Sequence, residues 1–246
     1  MARPVPEIRL AVSTVIFALR PDHASGRPAL WIPLVRRTRE PQLGRWALPG
    51  GWLPAAEELE AAAARTLRAT TALAPTYLEQ LYTFGEVDRS PDERVVSVVY
   101  WALVRSDEAA KAATGPNVRW VPADHLPELA FDHRRIVEYA LWRLRTKVEY
   151  SEIAHALLGE TFTLAELRSV YEAVLQRGLD PANFRRTMLA SGGLRETGEV
   201  VAGTPHRPPK LYRYDTAPAG RRTGEPFLAD EPFRADQALR EERPRP

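Results

Sequence analysis

The apolar residues of this chain change their prevailing pattern near Phe131-Asp132, from mostly strand-like to mostly helical, and that change limits what the chain can fold into. Upstream, the segments 8–19 (IRLAVSTVIFAL), 29–35, 76–84, 94–104 and 118–122 are rich in β-branched and aromatic residues and read as strands. From Glu57 to about Leu73 an alanine-rich run without a breaker predicts a helix. DHASGRP, RTREPQLGRW and DRSPDE are turns or loops by composition. Strands with helices interspersed give an α/β domain over residues 1–132.

Downstream the pattern is helical. Residues 133–150 carry Ile136, Leu141, Leu144 and Val148 at roughly helical spacing, with Asp132 expected as the N-cap. Arg143, Arg145 and Lys147 gather toward the end of this helix, where the helix dipole favours cations. It reads either as a surface helix or as a connector packed against both halves. In residues 151–215, SEIAHALL is a short helix, and Thr163-Leu-Ala-Glu166 is a capping box that opens a helix to about Gln176. After the turn Arg177-Gly178-Leu179, Asp180 caps a third helix with Pro181 at its first position, ending at Gly192-Gly193. Two strand-like pieces, LRETGEVV and KLYRYD, follow around AGTPHRPP. Short helices and then a β-ribbon is the order of an α+β winged helix-turn-helix domain. Residues 216–246, dense in Pro, Arg and acidic side chains, are expected to form a disordered tail.

Length and composition agree with two domains. The chain has 246 residues, against a typical domain of roughly 100–150. Hydrophobic residues at 44% and charged residues at 27% are ordinary for a soluble globular protein. No apolar run approaches the ~18 residues of a membrane span, and MARPVPEIRL lacks a signal-peptide core, so a cytoplasmic location with no membrane partner is expected. The absence of cysteine excludes disulfides, thiolate zinc sites and cysteine nucleophiles. The histidines are scattered, with no pair at i, i+4. A net charge of +2 does not announce a nucleic-acid binder, so any DNA contact must rest on local placement of charge.

The segment LPGG and the run Gly51–Leu73 resemble the Nudix box, G-x5-E-x7-R-E-U-x-E-E-x-G-U, where U is aliphatic. Glu57 falls on its first glutamate, Arg65 on its arginine, and Leu67 and Leu73 on aliphatic positions. The resemblance implies a Nudix-like α/β domain, a mixed sheet with flanking helices. Diphosphate hydrolysis needs divalent cations, and hard cations need carboxylate oxygens. In the Nudix box these come from glutamates at i, i+3 and i+4 on one helix face. Here those positions hold Thr66, Ala69 and Thr70, and the final glycine is Ala72. The expectation is therefore a domain with no catalytic residue and no metal site. An active pyrophosphatase drawing ligands from Glu57, Glu58, Glu60 or distant acids is the alternative.

A binding cleft can outlive such losses. Arg36 and Arg37 end a strand and Arg45 precedes the LPGG turn; guanidinium forks suit pyrophosphate. Trp46 is a candidate support for a base or ribose, and Gly50 and Gly51 form the entry turn. Phe84, Arg89 and Arg94 lie in FGEVDRSPDER, which resembles the family segment F-G-x-x-D-R-D-P-R-x-R and departs from it at Ser90 and Asp92.

The stretches FDHRRIVEYALWRLRTKVEYS, LLGETFTLAELRSVYEAVL, LDPANFRRTMLASGGL and RPPKLYRYD are similar to the NrtR-type transcription factors, which fuse a Nudix-like domain to a winged helix. The resemblance runs from the first strand to about Asp215. It implies a repressor of NAD synthesis or salvage genes that senses ADP-ribose or a related nucleotide diphosphate and then releases DNA. It also implies a homodimer on a palindromic operator and no required cofactor. Asn183, Arg185 and Arg186 would face the major groove from the recognition helix, where asparagine can bridge adenine and arginine guanine. Arg207, Lys210 and Arg213 would meet phosphates from the wing. Phe184 and Leu189 are expected in the core of that domain, with Tyr212 and Tyr214 in the core of the wing.

Overall fold

The computed structural model describes residues 7–73, 75, 77–112, 115–150, 152–202 and 208–214, with the side chains of 150 and 152 excepted. Arg207, Asp215 and the 216–246 segment lie outside the described residues.

Strands β1 (Ile8–Pro21), β2 (Pro28–Arg36), β3 (Trp46–Ala47), β5 (Tyr77–Phe84) and β6 (Arg94–Val104) form one sheet in the order β3-β2-β1-β6-β5. Strand β4 (Gly50–Trp52) pairs with β1, and β7 (Val118–Pro122) with β2. The sheet is mixed: β1 and β6 run parallel from Ile8↔Arg94 to Ala18↔Val104, and the other pairs are antiparallel. Side chains alternate across it as period-2 geometry requires. Val15, Phe17, Val99, Trp101 and Leu103 enter the main core on one face, while Ile16, Ala18, Ala102 and Val104 enter a second core on the other.

Helix α1 (Leu59–Thr71) covers the second face with small residues, Ala62 and Ala63, together with Leu67. It starts two residues later than the sequence suggests. Glu57 is held in a turn by its backbone N–H to the Pro54 carbonyl (3.2 Å), and Glu58 has an extended backbone. A short helix α2 (Ser106–Ala109) and the strands β3 and β4 are further elements that periodicity does not reveal, since each is too short to carry a repeat.

Helix α3 (His133–Tyr150) lies on the other face and is a connector rather than a surface helix. Ile136, Val137, Ala140, Leu141, Leu144 and Val148 are buried in the main core. That same core continues through Leu167, Val170 and Val174 to Phe184 and Tyr212. Polar contacts reinforce the joint. Arg145 donates to the Val174 carbonyl (3.0 Å) and to Asp124 (2.6 Å), and Gln176 also binds Asp124. Lys147 reaches back to Tyr77 and Glu79 on β5. Asp132 stands at the N-cap position, its carbonyl accepting the Ile136 N–H at 3.1 Å, but its carboxylate does not cap the helix: both oxygens accept from Arg89.

The SEIAHALL segment forms the expected short helix, wound as a 3-10 helix (Glu152–Leu157). Helix α4 (Leu164–Leu175) opens with both halves of the Thr163/Glu166 capping box and ends at Gln176 in the left-handed region. Asp180 caps α5 (Pro181–Ala190) by accepting the Asn183 N–H at 2.7 Å. Phe184 is buried and stacks edge-on against Tyr171. Leu189 is not in the core but 40% exposed: the inward stripe of α5 is Phe184 with the partly buried Met188, one position off Leu189. Strands β8 (Leu194–Val200) and β9 (Lys210–Tyr214) form the wing, and Tyr212 exchanges backbone hydrogen bonds with Phe162. Tyr212 is buried and Tyr214 packs on Phe162 and His155.

Candidate ligand cleft and candidate nucleic-acid interface

A cleft of about 770 Å³ opens above the sheet between the ends of β1, β2 and β6, the loops 37–45 and 85–93, and the second half of α1. That volume lies in the range of small-molecule sites, roughly 300–1,000 Å³. Its floor holds two hydroxyls, Ser13 and Ser97, whose oxygens stand 3.2 Å apart. Gly50 passes so close above them that a Cβ there would sit 2.8 Å from the Ser13 hydroxyl and 2.9 Å from the Val12 carbonyl. Only glycine permits that approach.

Arg36, Arg37 and Arg89 line this cleft together with Gly50 and Gly51. Each arginine is already held. Arg36 donates to the Gly44 carbonyl (3.2 Å) and Arg37 to the Pro41 carbonyl (2.9 Å). The Arg37 guanidinium also lies 4.6 Å from the centre of the Phe131 ring. Arg89 forms a two-pronged pair with Asp132 at 2.7 and 2.9 Å, with side-chain exposures of only 6% and 13%. His133, at the first position of α3, is buried and accepts the Leu48 N–H on Nδ1 at 3.0 Å. Burial pushes its pKa down to about 4; nearby Arg89 and Arg37 act in the same direction and Asp132 opposes them. The ring is therefore neutral and serves as an acceptor.

The other sequence candidates are not brought to the cleft. Arg45 is paired with Glu128 on the outside. Trp46 packs against the main core, with its carbonyl accepting the Ala130 N–H at 2.8 Å. Phe84 is buried among Tyr82 and Tyr139. Arg94 clamps its own loop, donating to the carbonyls of Gly85 (2.8 Å) and Glu86 (3.1 Å). A single cationic or aromatic residue in a loop or at a strand end carries no signal for which of these partners it will find.

The α1 face that would hold cations offers a poor donor set. Ala69 and Thr70 border the cleft, but the Thr70 hydroxyl donates back to the Thr66 carbonyl at 2.7 Å, and Thr66 is buried. Among the described residues, no group of three or more His, Cys, Asp or Glu side chains is placed to hold a metal ion. The divalent-metal set of a Nudix hydrolase does not fit these residues. Glu57 and Arg65 keep each other, in a two-pronged pair at 2.6 and 2.7 Å that lowers the Glu57 pKa through the hydrogen bonds from Arg65.

On α5 the outward face carries Asn183, Arg185 and Arg186, all exposed. Arg186 donates to the Asn183 side-chain oxygen at 2.6 Å, leaving the Asn183 amide hydrogens as donors. On the wing, Arg213 is exposed and stands opposite Arg195 across the ribbon, and Lys210 pairs with Glu196 at 2.7 Å.

Two domain families match this chain: the NrtR DNA-binding winged helix domain over residues 154–214 and the NUDIX domain over residues 9–140. An ADPR responsive transcriptional repressor of Acinetobacter baylyi is 35% identical over 191 residues, covering 75% of this chain and 76% of that protein. The chain belongs to the NrtR family. The structure of Shewanella oneidensis NrtR in complex with a 27mer DNA superposes with a TM-score of 0.69 at 34% identity, covering 84% of this chain and 93% of the other. An ADP-ribose pyrophosphatase of Methanocaldococcus jannaschii is 32% identical over 113 residues, 46% of this chain and 67% of that enzyme.

In this NrtR-family chain several cleft residues escape sequence reasoning. Arg9 lies 3.7 Å over the Trp52 ring and is held by Glu93 at 2.8 Å; these three line the cleft mouth. Ser13, Ser97, Phe131 and His133 are further examples. Strand serines and a lone histidine are ordinary core residues until register places them around one space. Phe131, with φ of 53°, is the exception that a signal could have found, since it sits at the break in periodicity. No helix among the described residues is long and apolar enough to cross a membrane.

Proposed function

We propose that this NrtR-family chain is a cytoplasmic transcriptional repressor whose cleft takes ADP-ribose or a related nucleotide diphosphate, and which leaves its operator when the cleft fills. One coexistence carries the reading. An arginine-lined cleft stands beside a helix without cation-holding carboxylates, in the same chain as a capped helix presenting Asn183, Arg185 and Arg186 to solvent. The name of the Acinetobacter relative and the DNA in the Shewanella structure support both halves of it. Arg36, Arg37 and Arg89 would meet the diphosphate. Arg185 and Asn183 would read base edges, while Lys210 and Arg213 would hold phosphates. A two-fold homodimer on a palindrome gives two recognition helices the matching half-site spacing. The regulated genes are those of NAD synthesis or salvage.

The domain binds without cleaving, because Thr66, Ala69 and Thr70 supply no anionic oxygen where a hydrolase needs one. By linkage, a ligand that weakens operator binding must itself be weakened by operator. A fluorescence-anisotropy titration on DNA upstream of NAD-synthesis genes tests this. Specific binding that ADP-ribose reverses is expected; identical operator affinity with and without ADP-ribose sinks the reading.

A second reading, pyrophosphatase, is favoured by the two-pronged Glu57–Arg65 pair and by the Methanocaldococcus relative. Release of AMP from ADP-ribose with Mg²⁺ or Mn²⁺, abolished by Glu57→Gln, would establish it instead.

A further inference from the structure

The three residues at the start of α3, Phe131, Asp132 and His133, are tied to three separate walls of the cleft. The Phe131 N–H donates to the Gln42 side chain at 3.0 Å, and its ring lies under Arg37. Asp132 holds Arg89 with both carboxylate oxygens, and His133 accepts the Leu48 N–H. At its other end α3 is tied to the winged helix through Arg145 and the Val174 carbonyl. Asp132 also stands directly before the first turn of α3, where a carboxylate side chain ordinarily accepts backbone N–H groups and favours the helix dipole. Here that position is filled but not used for capping.

We propose that Asp132 is an internal stand-in for the ligand's phosphate, and that the two compete for the Arg89 fork. In the free chain Asp132 occupies Arg89, a site shaped for a planar two-oxygen anion. A diphosphate entering the cleft takes over the guanidinium, and the released carboxylate turns to cap α3. Neither anion is left buried without a partner, which is what makes the exchange accessible: both arrangements satisfy Arg89 and Asp132. The cap changes the conformation of residues 131–133, and α3 carries that change to the winged helix through the core it shares with α4. The element is bistable, with two discrete partners for one carboxylate.

This rests on the reading that a nucleotide diphosphate binds the cleft, and the test separates the two. ADP-ribose affinity is measured by calorimetry on the full chain and on Asp132→Ser and Asp132→Ala. Serine keeps the cap and loses the competing charge; alanine loses both. Asp132→Ser should bind ADP-ribose about tenfold tighter than the unmodified chain, and Asp132→Ala should gain less. In the unmodified chain, hydrogen exchange at the amides of Arg134 and Arg135 should slow about fivefold on adding ADP-ribose, the factor one capping bond supplies. An unmodified chain that fails to bind ADP-ribose overturns the ligand reading and the exchange with it. A chain that binds, with unchanged α3 amide exchange or with Asp132→Ser no tighter, overturns the exchange alone. The amide measurement needs no variant and decides the matter even if the substitutions fail to fold.

Discussion

The cleft and the recognition helix handle their charged groups in opposite ways. In the cleft, Arg36, Arg37, Arg89 and His133 are each engaged by another part of the chain, and the Arg89–Asp132 pair is nearly buried. On α5, Arg185 and Arg186 stand in solvent, with only Phe184 turned fully inward. A ligand in the cleft must exchange partners with the protein, whereas DNA at α5 replaces mainly water and counterions. Under the proposed function, binding of the first kind would move the chain and binding of the second kind would read what the chain presents. The contrast then assigns the switch to the amino-terminal half and the readout to the carboxy-terminal half.

The largest expected effect tests whether α5 has the one-sided burial just described. Phe184→Ala should cost about 3–5 kcal/mol of stability in urea unfolding, and Leu189→Ala no more than about 0.5. Equal losses at the two positions would break the contrast between inward and outward faces. Next comes the buried histidine of the cleft. Its pKa falls from an ordinary 6.5 to about 4 on folding, so the unfolded chain takes up a proton that the folded chain refuses. The stability it contributes is complete above about pH 6.5 and is lost as pH falls from there toward 4, by about 3 kcal/mol in total. His133→Asn, which keeps an acceptor for the Leu48 N–H but does not titrate, should flatten that part of the pH–stability curve.

Arg185→Ala should weaken operator binding by about 1–3 kcal/mol and relax base preference at one position, leaving ADP-ribose affinity unchanged. A loss of ligand affinity as well would merge two sites that the structure holds apart. Smallest is Lys210→Ala. Because Lys210 already pairs with Glu196, its loss should lower affinity slightly and equally for all sequences, and reduce the salt slope by about one.

Local signals were legible where the physics is local. The Thr163/Glu166 box, the Asp180 cap with Pro181, and the alternation in β1 and β6 involve neighbours within a few residues, and each appears in the structure where the sequence places it. Gly50 and Gly51 read from the sequence as an entry turn, but both lie in strand β4 against β1, and Gly50 is required by a close pass over Ser13. Asp132 shows the limit most clearly. As a residue before a helix it predicts a cap, yet a guanidinium 43 positions earlier in the chain claims it instead. Arg45, Trp46, Phe84 and Arg94 do not line the cleft, because register and loop path turn each toward other parts of the chain.

From its sequence alone this chain sets an α/β half, a winged-helix half, and a α1 helix stripped of the oxygens that grip a cation, because periodicity, capping and side-chain chemistry act over one or two turns. Only the tertiary structure decided which arginines share a cavity and which carboxylate already occupies one of them. Those choices depend on sheet register and on loops brought together from distant parts of the chain, and no nearest-neighbour rule contains them.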